Sequence, residues 1–135
     1  MHAIDPGPLS NKLLAALPRE AFELLRPLLT TVGLAQGTVL FEVGDEIDQI
    51  SFPLSGMVSL VVIMKDGKAI ETAIVGREGV VGAMAGLGLH RSRVRALAQL
   101  PIFASQISAS HLRKAATANE CKARRRRGGR GSFFN

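Results

Sequence analysis

Tryptophan and tyrosine are missing from this chain of 135 residues, and six phenylalanines are its only aromatic side chains. Few platforms are therefore available for stacking bases. Cysteine occurs once, at Cys121, so no intramolecular disulfide can form, which fits a reducing cytosol. No organised base neighbours Cys121 in the sequence, which argues against a thiol nucleophile. The three histidines, His2, His90 and His111, are far apart and show no metal-ligand spacing, so a mononuclear metal site is not expected. The longest apolar stretch, Met57–Met64, ends at Lys65-Asp66 and falls well short of the ~18–20 residues of a membrane helix. The opening MHAIDPGPLSNK lacks the basic-then-apolar pattern of a secretory signal. Neither a P-loop signature nor the G-x-S-x-G nucleophile elbow occurs. The acids Glu42, Asp45 and Glu46 flank Gly44 in a turn pattern, where solvated carboxylates are ordinary. The chain is read as a cytoplasmic protein with no enzymatic activity, no metal, no cofactor and no membrane partner.

An excess of one charge sign is also missing from most of the chain. The net charge is +6 and the pI about 10.5, values that by themselves point to nucleic acid or an anionic surface. All eleven acids precede Cys121, however, beside eleven of the seventeen cations. The excess is Lys122, Arg124, Arg125, Arg126, Arg127 and Arg130. A neutral body therefore carries a basic tail. Arg124, Arg125, Arg126, Arg127 and Arg130 could contact phosphates with a steep salt dependence, and that is the alternative functional reading. A solvated extension explains the same composition.

What is present is apolar patterning, with 47% hydrophobic residues, enough for a core of its own. Leu13, Leu14 and Leu17 recur at helical spacing after Ser10 or Asn11 as cap, and Pro18 interrupts. Pro18 suits the first position of a second helix carrying Phe22, Leu25, Leu28 and Leu29, with a kink or early end at Pro27. From Val32 to Ile107 the pattern changes to short strands. Val39, Phe41 and Val43 alternate over Thr38–Val43, and Ile50, Phe52 and Leu54 over Gln49–Leu54. Val58–Met64 is apolar on both faces, as in a central strand, and Lys65–Lys68 is a hairpin turn into Lys68–Val75. Gly37, Gly44, Gly56, Gly67 and Gly76 recur every seven to twelve residues, the rhythm of an all-β sandwich or barrel. The fold expected is mainly β with flanking helices, a double-stranded β-helix or jelly roll.

Glycines at 76, 79, 82, 86 and 88 then break the alternation. A glycine-rich turn opening a short helix can present N–H groups to an anion, although glycines serve tight turns more often. If Arg91, Arg93 and Arg95 follow in one strand, period two puts their guanidiniums on one side, as a solvated edge or as one wall of an anion site. The candidate ligand-binding residues are Gly79, Gly82, Ala83, Met84, Arg91, Arg93 and Arg95. Ser108–Ala118 reads as a helix with a weak apolar stripe. The chain thus divides into a helical segment at 1–30, a β-roll at 31–108, the start of a helix at 109–118, and a basic tail at 119–135 expected to be disordered.

This order of elements resembles the cyclic nucleotide-binding domain. TVLFEVGDEIDQISFPLSGMVSLVVIMKDGKAIETAIVGREGVVG is similar to the sensor half of bacterial Crp/Fnr-type transcription regulators. The resemblance covers about Asn11 to Ala116, and rests on Gly37–Asp45, Phe52–Ser59 and Val75–Gly82. It implies a jelly-roll sensor with a phosphate-binding cassette, a cytoplasmic setting, a small anionic or nucleotide-like ligand, and a homodimer through the C-terminal helix. Nucleotide-binding members carry a Gly-Glu pair and an arginine for the cyclic phosphate. Here Gly82 is followed by Ala83, and alignment on Ala96 puts Val94 at the arginine position, with Arg91 or Arg93 reached only in a shifted register. These departures imply a sensor that does not bind cAMP. The cysteine clusters of iron–sulfur members are absent. The resemblance fades near Ala118, before any helix-turn-helix. This reading implies a truncated or frame-shifted regulator for which nucleic acid is not an expected partner.

Overall fold

The structure, a computed structural model, describes residues 7–83 and 91–126, with side chains through Thr117. A 3-10 turn at Pro8–Ser10 leads into α1 (Lys12–Ala16) and α2 (Arg19–Leu25). Seven strands follow: β1 (Thr30–Leu34), β2 (Val39–Phe41), β3 (Gln49–Ser55), β4 (Val58–Ile63), β5 (Ala69–Val75), β6 (Arg95–Ala98) and β7 (Ile102–Ser108). The helix α3 (Ala109–Arg126) closes the described part. The strands form two antiparallel sheets, β1-β7-β3 and β2-β6-β4-β5. This is the expected jelly-roll class, mainly β with flanking helices.

The helical segment breaks at Pro18 as the pattern requires. Pro18 stands just before α2 rather than inside it, and α2 ends at Leu25, ahead of a 3-10 turn that contains Pro27. Proline cannot donate to the preceding turn, so the helix stops short of Leu28 and Leu29. The cap of α1 is Asn11, whose Oδ1 accepts hydrogen bonds from the N–H groups of Leu13 at 2.9 Å and Leu14 at 3.1 Å. The Asn11 amide then donates to the carbonyls of Pro53 at 2.8 Å and Gly79 at 2.9 Å. With no accessible surface at all, Asn11 joins α1, β3 and the glycine-rich loop at one point.

Three strand pairs contain a shift of register. Between Val39 and Phe41 the pairing with β6 slips by one residue, so Val39 lies opposite Leu97 while Phe41 lies opposite Ala96. Leu40 is the additional residue, and the two neighbours now point to opposite faces. Phe41 is buried and Val39 and Val43 are exposed, so the common face expected for Val39, Phe41 and Val43 does not form. Leu54 and Thr72 hold the corresponding positions in β3 and β5. β4 lies inside its sheet, and Val58, Ser59 and Val61 are buried, which suits its two apolar faces.

The core runs from Leu14, Phe22 and Leu25 through Phe41, Ile50, Phe52, Val58, Ala96 and Ile107 to Ala109 and Ala115. Both helical flanks thereby share one apolar interior with the two sheets. The tail expectation needs correction, because α3 continues eight residues past Ala118 to Arg126. The stretch after Ala118 contains alanine, glutamate, lysine and arginine, which favour helix, and no glycine or proline before Gly128. Arg127, Arg130 and the rest of 127–135 lie outside the described residues, as do 1–6 and 84–90.

Asn11→Ala is expected to lower unfolding free energy by roughly 3–4 kcal/mol, the sum of a lost cap and two orphaned buried carbonyls. Asn11→Asp keeps the cap but removes both donors, so in urea melts it is expected to fall close to the alanine variant rather than the wild type. At Gly56 (φ +79°) an added Cβ would collide with the Pro101 carbonyl and come within 2.5 Å of Ile102 Cγ2, whereas at Gly67 (φ +87°) it would meet open space. Gly67→Ala should therefore lose only the left-handed backbone penalty of about 1–2 kcal/mol. Gly56→Ala should lose clearly more in the same melts.

Candidate functional site

The glycine-rich segment leaves β5 at Val75 and turns back across the end of β3. Gly76 N–H is held by Glu78 Oε1 at 3.2 Å, and Gly79 N–H bonds the Gly76 carbonyl at 3.1 Å. The Arg77 carbonyl accepts from Lys12 N–H at 2.7 Å. Val81 then exchanges two backbone hydrogen bonds with Ser51, at 2.8 and 2.9 Å. Two glycines are dictated by space. An added Cβ at Gly79 would lie 2.8 Å from Val75 Cγ1. Gly82 has φ +89°, and its Cβ would press on the Gln49 carbonyl and Ile47 Cγ2, each at 3.1 Å. Ala83 follows, exposed. Met84 and His90 lie outside the described residues.

The three arginines do not share one strand face. Arg91 makes an isolated bridge with Glu46, Arg93 lies in a bend, and only Arg95 belongs to β6. What organises this segment is the acidic turn after β2. The Gly44 N–H donates to the Ser92 carbonyl at 2.8 Å, and Ser92 N–H to the Asp45 carbonyl at 2.9 Å. Ser92 Oγ closes the bend by donating to the Val94 carbonyl at 2.6 Å. Asp45 Oδ2 accepts from Glu42 N–H at 2.9 Å and fixes the turn itself.

Each flanking arginine is consequently engaged. Arg95 Nε donates to Glu42 Oε1 at 2.8 Å, with the two side chains 35% and 44% exposed. Arg91 donates to the Gly44 carbonyl at 3.1 Å and lies 3.9 Å from Glu46 Oε1. Arg93 is exposed and has no hydrogen bond or ion pair among the described residues. An anion reaching this segment thus meets Arg93 without a partner among the described residues, Arg95 bonded to Glu42, and Arg91 at the edge of ion-pair distance from Glu46. Gly79 and Gly82 belong to the same loop, and Ala83 supplies it with no acid.

Sequence reasoning missed two parts of this arrangement. Glu42 and Glu46 pass for solvated turn acids until β2 is paired with β6, which brings residue 42 beside residue 95. The reach of Asn11 to Gly79 spans 68 positions, and no local pattern signals it. His111, the described histidine, is exposed at the start of α3, where its N–H bonds Ser108 Oγ at 3.1 Å. Among the described residues no three potential metal ligands come together, and no helix is long and apolar enough to cross a membrane.

Comparison with solved structures places this arrangement in context. The N-terminal domain of a transcriptional regulator from Streptomyces coelicolor A3(2) is 27% identical, with a TM-score of 0.70 over 92% of this chain and 95% of that one. The regulatory subunit of a cAMP-independent protein kinase A from Trypanosoma brucei, a mutant with cAMP in its A site, is 17% identical at a TM-score of 0.73. That match covers 91% of this chain, which spans only 45% of the subunit. The corresponding subunit from Trypanosoma cruzi, bound to guanosine, is 16% identical at a TM-score of 0.71, over 81% of this chain and 38% of that one. No curated protein matches the chain significantly. The sequence profile of the cyclic nucleotide-binding domain matches residues 31–119, from β1 through the first part of α3. With two thirds of its length inside that profile, this chain belongs to the cyclic nucleotide-binding domain family.

Proposed function

We propose that this chain is a non-enzymatic, cytoplasmic sensor module of the Crp/Fnr regulator type, and that its ligand is a small molecule other than cAMP. The observation that carries the reading is the pairing of Arg95 with Glu42 and of Arg91 with Glu46. A cyclic phosphate held in a domain of this family needs a guanidinium that is free to pair with it, because a charge-assisted bidentate contact supplies a few kcal/mol. Here two of the three guanidiniums have partners, and Ala83 offers no carboxylate for a ribose hydroxyl. Arg93 remains as the one uncommitted cation among the described arginines of the segment. These features favour a small ligand that needs neither a ribose-binding carboxylate nor a ring of free guanidiniums. The Trypanosoma cruzi subunit, of which this chain matches 38%, is bound to guanosine, a nucleoside without a phosphate, which supports testing nucleosides beside cyclic nucleotides.

Thermal-shift titration of the full chain against cAMP, cGMP and guanosine tests the reading. A ligand at a hundred times its Kd stabilises by ~2.7 kcal/mol, which is readily seen as a rise in Tm. No shift is expected with cAMP. A saturable cAMP shift abolished by Arg93→Gln or Arg91→Gln would overturn the proposal.

The Glu42–Arg95 pair is expected to be modest in energy, because both side chains are more than a third exposed and water screens them. A double-mutant cycle with Glu42→Gln and Arg95→Gln should give a coupling of about 0.5–1 kcal/mol at low salt. Raising the salt to about 1 M should reduce it.

A further inference from the structure

A concavity lies between the opening 3-10 turn and the helices α1 and α2. Its volume is about 540 Å³, inside the ~300–1,000 Å³ range of small-ligand sites. The buried Leu14 and Phe22 and the more accessible Leu9 and Leu17 are among the side chains that line it. Leu9 is 58% exposed there, a large apolar side chain facing solvent where no side chain of the described residues covers it. The mouth carries charge. Arg26 and Glu23 face each other at 3.7 Å and offset one another. Arg19 lines the same mouth and has no hydrogen bond or ion pair among the described residues. The groove therefore combines apolar walls with one cation that is unpaired among the described residues.

We propose that the groove between the 3-10 turn, α1 and α2 binds a small amphipathic anion, a monocarboxylate with an unbranched apolar body. The carboxylate pairs with Arg19, whose planar fork matches it bidentately. The chain of the ligand covers Leu9 and Leu17 and removes their surface from water. A cationic or neutral ligand would leave Arg19 without a partner. An acid with two charged ends would leave one carboxylate against apolar walls. No residue of the glycine-rich loop lines the groove, so the proposal does not depend on the β-roll having a ligand of its own. It also has a route to the rest of the molecule, because α2 packs directly on α3.

Isothermal titration of the full chain with decanoate, held below its micellar range, tests the proposal. Saturable binding at one site is expected, with decanol and decyltrimethylammonium weaker by about tenfold or more, the value of one charge-assisted contact. Arg19→Gln should reduce decanoate affinity about tenfold and leave decanol unchanged. Leu9→Glu changes an exposed position and so leaves the core intact; it should weaken both. Amide shifts on decanoate addition should concentrate in residues 7–26. Absence of saturable binding to the wild type, equal affinity in Arg19→Gln, or shifts centred on residues 76–95 would each overturn the proposal.

Discussion

A single buried amide fixes how the parts of this domain are placed. Asn11 uses Oδ1 to start α1 and its Nδ2 to hold the Pro53 and Gly79 carbonyls, which lie 42 and 68 positions away in the chain. Each of these groups is shielded from water or nearly so, where an unmade hydrogen bond is expensive and a satisfied one is rigid. No aliphatic side chain can do the same, since the site needs an acceptor and two donors together. The consequence reaches the glycine-rich loop: the segment bearing Gly79 and Gly82 is tied to the first helix, so the N-terminal segment belongs to the domain's framework and is more than an appendage to it.

The second organising element is the acidic turn between β2 and β3. Its backbone holds Ser92, and its side chains hold Arg91 and Arg95. In this region the structure exchanges electrostatic reach for order. Guanidiniums that could have met a ligand instead fasten the return segment of the roll to the opposite turn. Each arginine that flanks the bend is thereby placed against a carboxylate of the turn. Of the three arginines, Arg93 alone has no hydrogen bond or ion pair among the described residues.

Much of this was legible in the sequence, and the parts that were not have a common cause. Helices broken at Pro18, the Lys65–Lys68 turn and the two-faced apolar strand β4 follow from local rules on proline, glycine and period two. The family was readable from Gly37–Asp45, Phe52–Ser59 and Val75–Gly82. The common face of Val39, Phe41 and Val43 was not realised, because one extra residue at Leu40 reverses the alternation and carries no sequence signature. The arginines at 91, 93 and 95 looked like one ladder for the same reason: spacing reports a face only inside a strand, and the chain bends at Arg93. Contacts such as Arg95 with Glu42 depend on which strands pair, a property of the whole fold that no window of residues contains. The helix past Ala118 was hidden by composition, since the same arginine run satisfies both a disordered tail and a helix end.

The three extra residues at Leu40, Leu54 and Thr72 share one property. They lie in β2, β3 and β5, which are three of the four strands at the sheet borders. A bulge bends and twists a border strand, so its free N–H and C=O groups no longer present a straight row to a passing chain. Proline at 53 removes one donor from β3 altogether, and Thr72 Oγ1 covers the Leu60 carbonyl at 3.1 Å inside the irregular stretch of β5. This matters for β5 above all, with Ile70 and Ile74 nearly half exposed and a composition that would otherwise suit intermolecular pairing. The irregularities that confuse a reading by period two thus fall on border strands, where they break the straight row of backbone groups that strand pairing requires.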